Sequence, residues 1–358
     1  MAAGFGKKLN ISVFGSSHGE AVGTTVTGLP AGIVVDMQQL QAFMDRRAPG
    51  RSALSTARRE ADVPIFETGL TEGVTNGQPL TVTIANTNAR RTDYDALRGI
   101  PRPGHADYTA WVKYGANCDM AGGGQFSGRM TAPVCAVGGI LLQLLAEKGI
   151  AVSAHILQIA DVRDSAFHPL QPETEVNRKA FPVLCSEAGE QMQQAVLAAK
   201  QRGDSVGGII ECAVTGLPAG VGGALFEGME SRIAAALFAV PAVKGVEFGA
   251  GFAAAAMCGS EHNDAFIVEN GCVKTSSNHA GGILGGITNG MPLIFRCAVK
   301  PTPSIALPQQ SVQLQNLQPC TVSVGGRHDA CIVPRAVPVV EAVAAIAVCD
   351  AMAEENML

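Results

Sequence analysis

Thr27-Gly28-Leu29-Pro30-Ala31-Gly32 recurs letter for letter as Thr215-Gly216-Leu217-Pro218-Ala219-Gly220. Each copy follows a short strand-like run, Thr24-Thr25-Val26 or Glu211 to Val214, and precedes a helix start some residues later. Pro-Ala-Gly is good turn chemistry, so two chance turns would also give the match. Six identical residues with matching flanks favour a duplicated unit and predict two similar halves, about 10–204 and 205–358. No Pro/Ser-rich linker separates them, so a single domain over 1–358 with one shared core is expected.

Working outward, periodicity marks several helices. Asp36 suits the N-cap of one carrying Leu40, Phe43 and Met44 and ending at Arg46-Arg47, before Pro49-Gly50. An almost wholly apolar helix runs from Pro133 to Lys148 and stops at Gly149; its all-round apolarity implies burial. Glu187 to Arg202, Glu230 to Val240 and Pro338 to Met352 read as three more. Leu80 to Ala85, Ile209 to Thr215 and Leu293 to Val299 read as strands, so the class is mixed α and β.

A chain of 358 residues can bury a substantial core. Apolar residues make up 47% and charged ones 16%, yet no apolar run reaches the ~18 residues of a membrane span. Residues 1–8 lead into no apolar run, so neither a signal peptide nor a membrane partner is expected. The apolar surplus is expected in subunit interfaces. A net charge of −5 argues against a general nucleic-acid binder. Arginines nevertheless cluster, as Arg46, Arg47, Arg51, Arg58 and Arg59, and as Arg90, Arg91, Arg98 and Arg102. This suggests a small anionic ligand, although a solvated charged face accounts for the charge equally well. Ten cysteines, from Cys118 onward and without a CxxC pair, fit buried thiols in a reducing cytoplasm.

Two histidines keep near-identical company: Phe14-Gly15-Ser16-Ser17-His18-Gly19-Glu20 and Arg102-Pro103-Gly104-His105-Ala106-Asp107. Glycine adds backbone freedom and removes the side chains that would pack a ring, so a Gly-flanked histidine is poor core filler. An unperturbed imidazole, with a pKa of about 6.5, handles protons at neutral pH. Ala121-Gly122-Gly123-Gly124-Gln125-Phe126-Ser127-Gly128-Arg129 precedes the apolar helix, where successive N–H groups can meet an anion. It lacks the lysine and spacing of a Walker loop. Gly249 to Ala254 matches GxGxxA, but no crossover helix follows, so no dinucleotide site is read there. Asn278 to Gly286 is a further glycine-dense loop, and Lys300-Pro301-Thr302-Pro303-Ser304 offers a cation and two hydroxyls. Gly326-Arg327-His328-Asp329 groups a cation, an imidazole and a carboxylate. That Asp could act as a base, and a surface salt-bridge loop explains the group equally well. His155, His168 and His262 lack such company and read as structural or surface residues. No spacing suits a metal, and none is expected.

In this order the pieces resemble the chorismate synthase family. The resemblance rests on Phe14–Glu20, Arg46–Asp62, Arg102–Tyr108, Gly122–Ala132, Ala242–Gly251, Ser277–Gly290, Lys300–Ser304 and Gly326–Asp350. It implies an α+β fold, a β-α-β sandwich of two similar halves with a pseudo-twofold repeat, forming a cytoplasmic homotetramer. It also implies a lyase acting on 5-enolpyruvylshikimate 3-phosphate. An anti 1,4-elimination would release phosphate and give chorismate, using reduced FMN without net redox change.

Carried over by motif, His18 would protonate or polarise the leaving phosphate, and His105 would protonate reduced flavin. Asp329 would be the base acting through the flavin N5, with Ser17 and Ser127 supporting these groups. Arg47, Arg51, Arg102, Arg129 and Arg335 would hold the substrate's anions; Arg47 matches a family arginine of the substrate pocket that the resemblance also links to a nucleotide, NADP. FMN would contact Gln125, Phe126, Ser127, Pro241, Ala242, Gly285, Lys300, Pro301, Thr302, Pro303, Ser304 and Arg327. The chain departs from the family pattern at Ser16 (usually Glu), Gln125 (often Arg), Met130 (often Glu) and Ala53, where Arg51 is near enough to replace a pocket arginine. Each departure weakens one ion contact and none removes a proposed proton-transfer residue. Alternative readings are a flavin reductase and a non-catalytic flavin- or anion-binding relative.

Overall fold

Leu80, Val82 and Ile84 alternate with threonines along one strand, and in the computed structural model all three turn into the core. The structure describes residues 3–51, 54–56, 60–88, 98–115, 118, 120–326 and 328–358. The first of two five-stranded antiparallel sheets contains β1 (Ala3–Phe5), β2 (Asn10–Gly15), β3 (Ala21–Thr27) and β4 (Ile65–Thr68). After a small hairpin of β5 (Leu70–Thr71) and β6 (Val74–Thr75), β7 (Leu80–Ala85) completes it in the order β1-β2-β3-β7-β4.

The second sheet contains β8 (Ala151–Ile159), β9 (Val162–Arg163), β10 (Gly208–Thr215) and β11 (Val243–Phe248). Two hairpins follow, β12 (Phe266–Glu269) with β13 (Cys272–Thr275) and β14 (Ile283–Leu284) with β15 (Ile287–Thr288). Then β16 (Leu293–Val299) joins the sheet in the order β11-β16-β10-β8-β9, and β17 (Gln309–Gln313) pairs with β18 (Gln318–Val322).

The helices are α1 (Met37–Arg47), α2 (Asp107–Tyr114), α3 (Thr131–Glu147), α4 (Ser186–Gln201), α5 (Met229–Phe238), the short α6 (Gly259–His262) and α7 (Val333–Glu354). Asp36 caps α1 as its position predicts, accepting from the N–H groups of Gln38 and Gln39. Helices α3 and α7 pack on each other between the sheets, α3 against β3 and β7, α7 against β8 and β10. A Cβ built on Gly138 would lie 2.3 Å from that of Ala342, so glycine is what lets these helices approach. One apolar cluster runs from Val22 and Val82 through Ile140 and Val340 to Ile210 and Phe295.

The hexapeptide copies begin at the ends of β3 and β10. Strand β3 lies between β2 and β7, and β10 between β8 and β16. Helix α1 follows one copy and α5 the other, and α3 and α7 come last in the two series. The strand orders β2-β3-β7-β4 and β8-β10-β16-β11 therefore correspond, and the halves divide between α3 and β8, near residue 150. The expected boundary at 204/205 falls inside the second half. Strand β9 and helix α4, inserted between β8 and β10, carry the second hexapeptide far from the start of its half.

Helix α7 begins at Val333 and takes Pro338 into its interior, whereas a start at Pro338 was expected. Gly128–Glu147 and α7 are long and apolar enough to cross a membrane, but 67% and 94% of their apolar windows are buried inside the protein. Both are core helices, so the apolar surplus they carry is hidden within one chain. The GxGxxA stretch leads from β11 into a short 3-10 segment, Gly251–Ala256, and then into α6. His155 is fully buried, its Nε2 3.0 Å from Glu211 Oε2 on the adjacent strand.

Candidate active site

The run Ala121–Phe126 is broken by Gly122, Gly123 and Gly124 at φ of 59°, 93° and 53°, values that L side chains rarely adopt. This loop lies against both Gly-flanked histidines. A Cβ on Gly122 would sit 1.9 Å from His18 Cε1, and one on Gly123 would sit 3.1 Å from His105 Nε2. Ser17, fully buried, brings its Oγ to 3.0 Å from His18 Nδ1. The same oxygen is 3.2 Å from the Ala121 carbonyl oxygen, so the hydroxyl can donate there while accepting from Nδ1–H.

His105 places Nδ1 2.7 Å from Asp107 Oδ1. Arg102 donates to the same carboxylate, from Nε to Oδ2 at 2.7 Å and from Nη2 to Oδ1 at 2.8 Å. Burial alone would raise the Asp107 pKa; the bonds from Arg102 and His105 overcome it and hold the carboxyl well below the usual range.

Arg47 and Arg129 share Asp62. Arg47 Nη1 lies 2.6 Å from Oδ2, and Arg129 Nη1 donates to Oδ1. Arg129 also contacts Asn86, the Ala85 carbonyl and Glu60, while Arg47 reaches the Gly128 carbonyl and Thr131. Burial pushes the Asp62 pKa up, and the two guanidiniums more than reverse that. Arg335, in the first turn of α7, places Nη1 2.5 Å from Oδ2 of Asp329 on the preceding loop, and the Thr56 N–H donates to Oδ1 at 2.7 Å. Lys300 donates to the Gly104 carbonyl; burial and Lys244 lower its pKa. Burial also lowers the pKa of His328.

His18, His105, Asp329, Lys300, His328 and the arginines Arg47, Arg102, Arg129 and Arg335 line one cleft of about 530 Å³. Of the residues singled out from sequence, His18, His105, Asp329, Ser127, Gln125, Phe126, Pro241, Ala242, Lys300, Thr302, Pro303, Ser304, Arg47, Arg102, Arg129 and Arg335 all line it. Ser17 lies behind His18. Pro301 is exposed outside the lining. Arg51 does not reach the cleft: it is half exposed and pairs with Asp45 at 2.5 Å. Gly285 is likewise outside. With Gly286 it forms the β14–β15 turn at φ of 61° and 89°, so these glycines serve a tight hairpin. Met130 packs against the core. Arg327, Ala53, Arg58, Arg59, Arg90 and Arg91 lie outside the described residues.

Sequence reasoning missed Asp107, Asp62, Glu60 and Thr56. Asp107 was readable, two positions after a histidine already singled out, and Asp62 ends the arginine-rich stretch. The Thr56 N–H has no sequence signal, because any residue but proline supplies one.

The chain matches the family model described as chorismate synthase over residues 9–353. The chorismate synthase of Lancefieldella parvula is 44% identical over 367 residues, covering 98% of this chain and 96% of that one. That of Thermococcus gammatolerans is 46% identical over 346 residues, covering 96% of each. A crystal structure of chorismate synthase superposes with a TM-score of 0.76 at 25% identity, covering 98% of this chain and 93% of the other.

Proposed function

The chain belongs to the chorismate synthase family and is a lyase of that kind, and on that premise we propose that the cleft is where it works. The reaction converts 5-enolpyruvylshikimate 3-phosphate to chorismate and phosphate by anti 1,4-elimination. One observation carries the assignment to this cleft: His18, His105 and Asp329 line it together, among Arg47, Arg102, Arg129, Arg335 and Lys300. A substrate with one phosphate and two carboxylates needs such cations, and a leaving phosphate needs a proton or a positive charge. His18, held by Ser17, serves the phosphate. Arg335 is paired with Asp329, so its turning toward a substrate anion would free that carboxylate to act as a base. Arg47 and Arg129 are tied to Asp62, and Arg129 also to Glu60, so their guanidiniums are held in fixed positions at the cleft wall.

Reduced FMN fits this cleft. Thr302 Oγ1 is buried without a hydrogen-bond partner among the described residues, and Lys300 and Ser304 flank it. Phe126, Pro241 and Ala242 add apolar lining, and Gln125 supplies an amide. When bound, the flavin supplies electron density that eases loss of phosphate, with no net redox change. His105 handles a proton at Nε2, which makes no hydrogen bond to a described residue.

The assembly is a homotetramer, supported by Leu225, Phe226 and Phe252, each more than four-fifths exposed on one chain. Ten free thiols, five of them buried, support a reducing, cytoplasmic setting.

The test is anaerobic incubation with FMN, dithionite and substrate. Phosphate release together with a new near-ultraviolet absorption band is expected. Flavin binding without turnover, or NAD(P)H consumption without added reductant, would overturn the reading.

A further inference from the structure

We propose that Asp107 is a positioning residue for His105, fixing the imidazole as the Nδ1–H tautomer so that Nε2 is the atom presented to the cleft. The proposal rests on the reading of His105 as a proton-transfer group.

The geometry leaves little choice. Asp107 Oδ1 lies 2.7 Å from Nδ1, and a carboxylate only accepts, so Nδ1 must carry the hydrogen. Arg102 Nη2, 3.2 Å from Nδ1, finds no lone pair there and gives its hydrogen to Oδ1 at 2.8 Å. Nε2, beside Gly123, has no hydrogen bond to a described residue. Asp107 is itself held in place. Its Oδ2 accepts from the Arg102 backbone N–H at 2.9 Å and from Arg102 Nε at 2.7 Å. It is also the first residue of α2, where the helix favours a negative charge. The carboxylate therefore stays ionised and can steady an imidazolium as well as orient a neutral ring, as the aspartate of a catalytic triad does. Other charged groups near this ring among the described residues are Arg102 on its own loop, Lys300, which donates to the neighbouring Gly104 carbonyl, and His328.

The experiment compares the full-length parent with Asp107→Asn and Asp107→Glu. First, the ring nitrogens of ¹⁵N-histidine-labelled protein are observed by NMR, with His105 assigned through His105→Ala. The parent should show a protonated Nδ1 and an unprotonated Nε2 above the ring's titration; Asp107→Asn should show a mixture or the reverse. Turnover should fall about 10²-fold or more in Asp107→Asn, with flavin affinity within threefold and the alkaline pH profile displaced. Asp107→Glu should recover part of the turnover, because it restores the charge. An unchanged tautomer in Asp107→Asn, or Nε2–H in the parent, would overturn the proposal. A changed tautomer with undiminished turnover would instead overturn His105's place in the reaction.

Discussion

The His18 ring lies so close to Gly122 that a Cβ built there would fall 1.9 Å from its Cε1. Gly122→Ala should therefore move the imidazole and cost turnover more than stability. An alanine at φ of 59° costs roughly 1–2 kcal/mol of strain by itself. Gly271→Ala, at φ of 76° with nothing within 4 Å, is the control for strain alone. Melting temperatures should fall alike in the two variants, and only Gly122→Ala should lose activity. Equal activity in both would mean that the contact does not position His18.

His105→Ala should lower kcat by about 10²–10⁴-fold, the usual contribution of a general acid or base. The ring packs on a glycine loop rather than in the apolar core, so circular dichroism and the melting temperature should stay near those of the parent. Activity within twofold of the parent would remove His105 from the chemistry.

Asp329→Asn keeps an acceptor for the Thr56 N–H and loses the ion pair with Arg335. Turnover should fall far more than FMN affinity measured by fluorescence quenching. If FMN binding fails and turnover at saturating flavin is normal, Asp329 shapes the cleft and is not its base.

Asp62 holds Arg47 and Arg129 with its carboxyl below the usual range. A lowered folded-state pKa contributes stability above the unfolded value of about 3.9, and that stability is lost as pH falls through the folded value. Breaking a buried pair costs about 3–5 kcal/mol. Asp62→Asn should thus melt well below the parent at pH 7, and the gap should narrow below about pH 4. A gap of constant width from pH 8 to pH 3 would contradict this account.

Phe226→Asp and Phe252→Asp place charges where one chain exposes large rings. Light scattering of the parent at micromolar concentration should give four times the chain mass, and the double variant should give smaller species. A monomeric parent would count directly against the assembly.

Local chemistry explains what the sequence made legible. Leu80 to Ala85 alternates and Leu293 to Val299 is apolar but for Arg296, so their ends were readable, as was the Asp36 cap. Proline favours a helix's first turn, which made Pro338 look like a start. In α7 it is the sixth residue, past the first turn; its missing N–H gives up one helical bond to the Pro334 carbonyl, and the helix nevertheless runs through it. The division near residue 150 was hidden because the inserted β9 and α4 separate the second hexapeptide from its true first strand. His18 and His105 were found through their glycine neighbours. The Asp62 clamp was not, since its partner Arg129 is 67 positions away and only the folded chain joins them. Arg51 and Gly285 were assigned by motif, and the structure places both outside the cleft lining. Arg51 has a nearer carboxylate in Asp45, and Gly285 has a turn to make.

Helices α3 and α7 both begin at the cleft: Arg129 and Thr131 line it at one start, Ile332 and Arg335 at the other. Each helix N-terminus carries roughly half a positive charge from its aligned peptide dipoles. Two such ends add about one elementary charge to the field felt by an incoming anion, and it belongs to the backbone. Replacing any single arginine leaves that contribution in place. Arginine variants should therefore keep part of the salt-dependent attraction for a multiply charged substrate, whatever they lose in its final alignment.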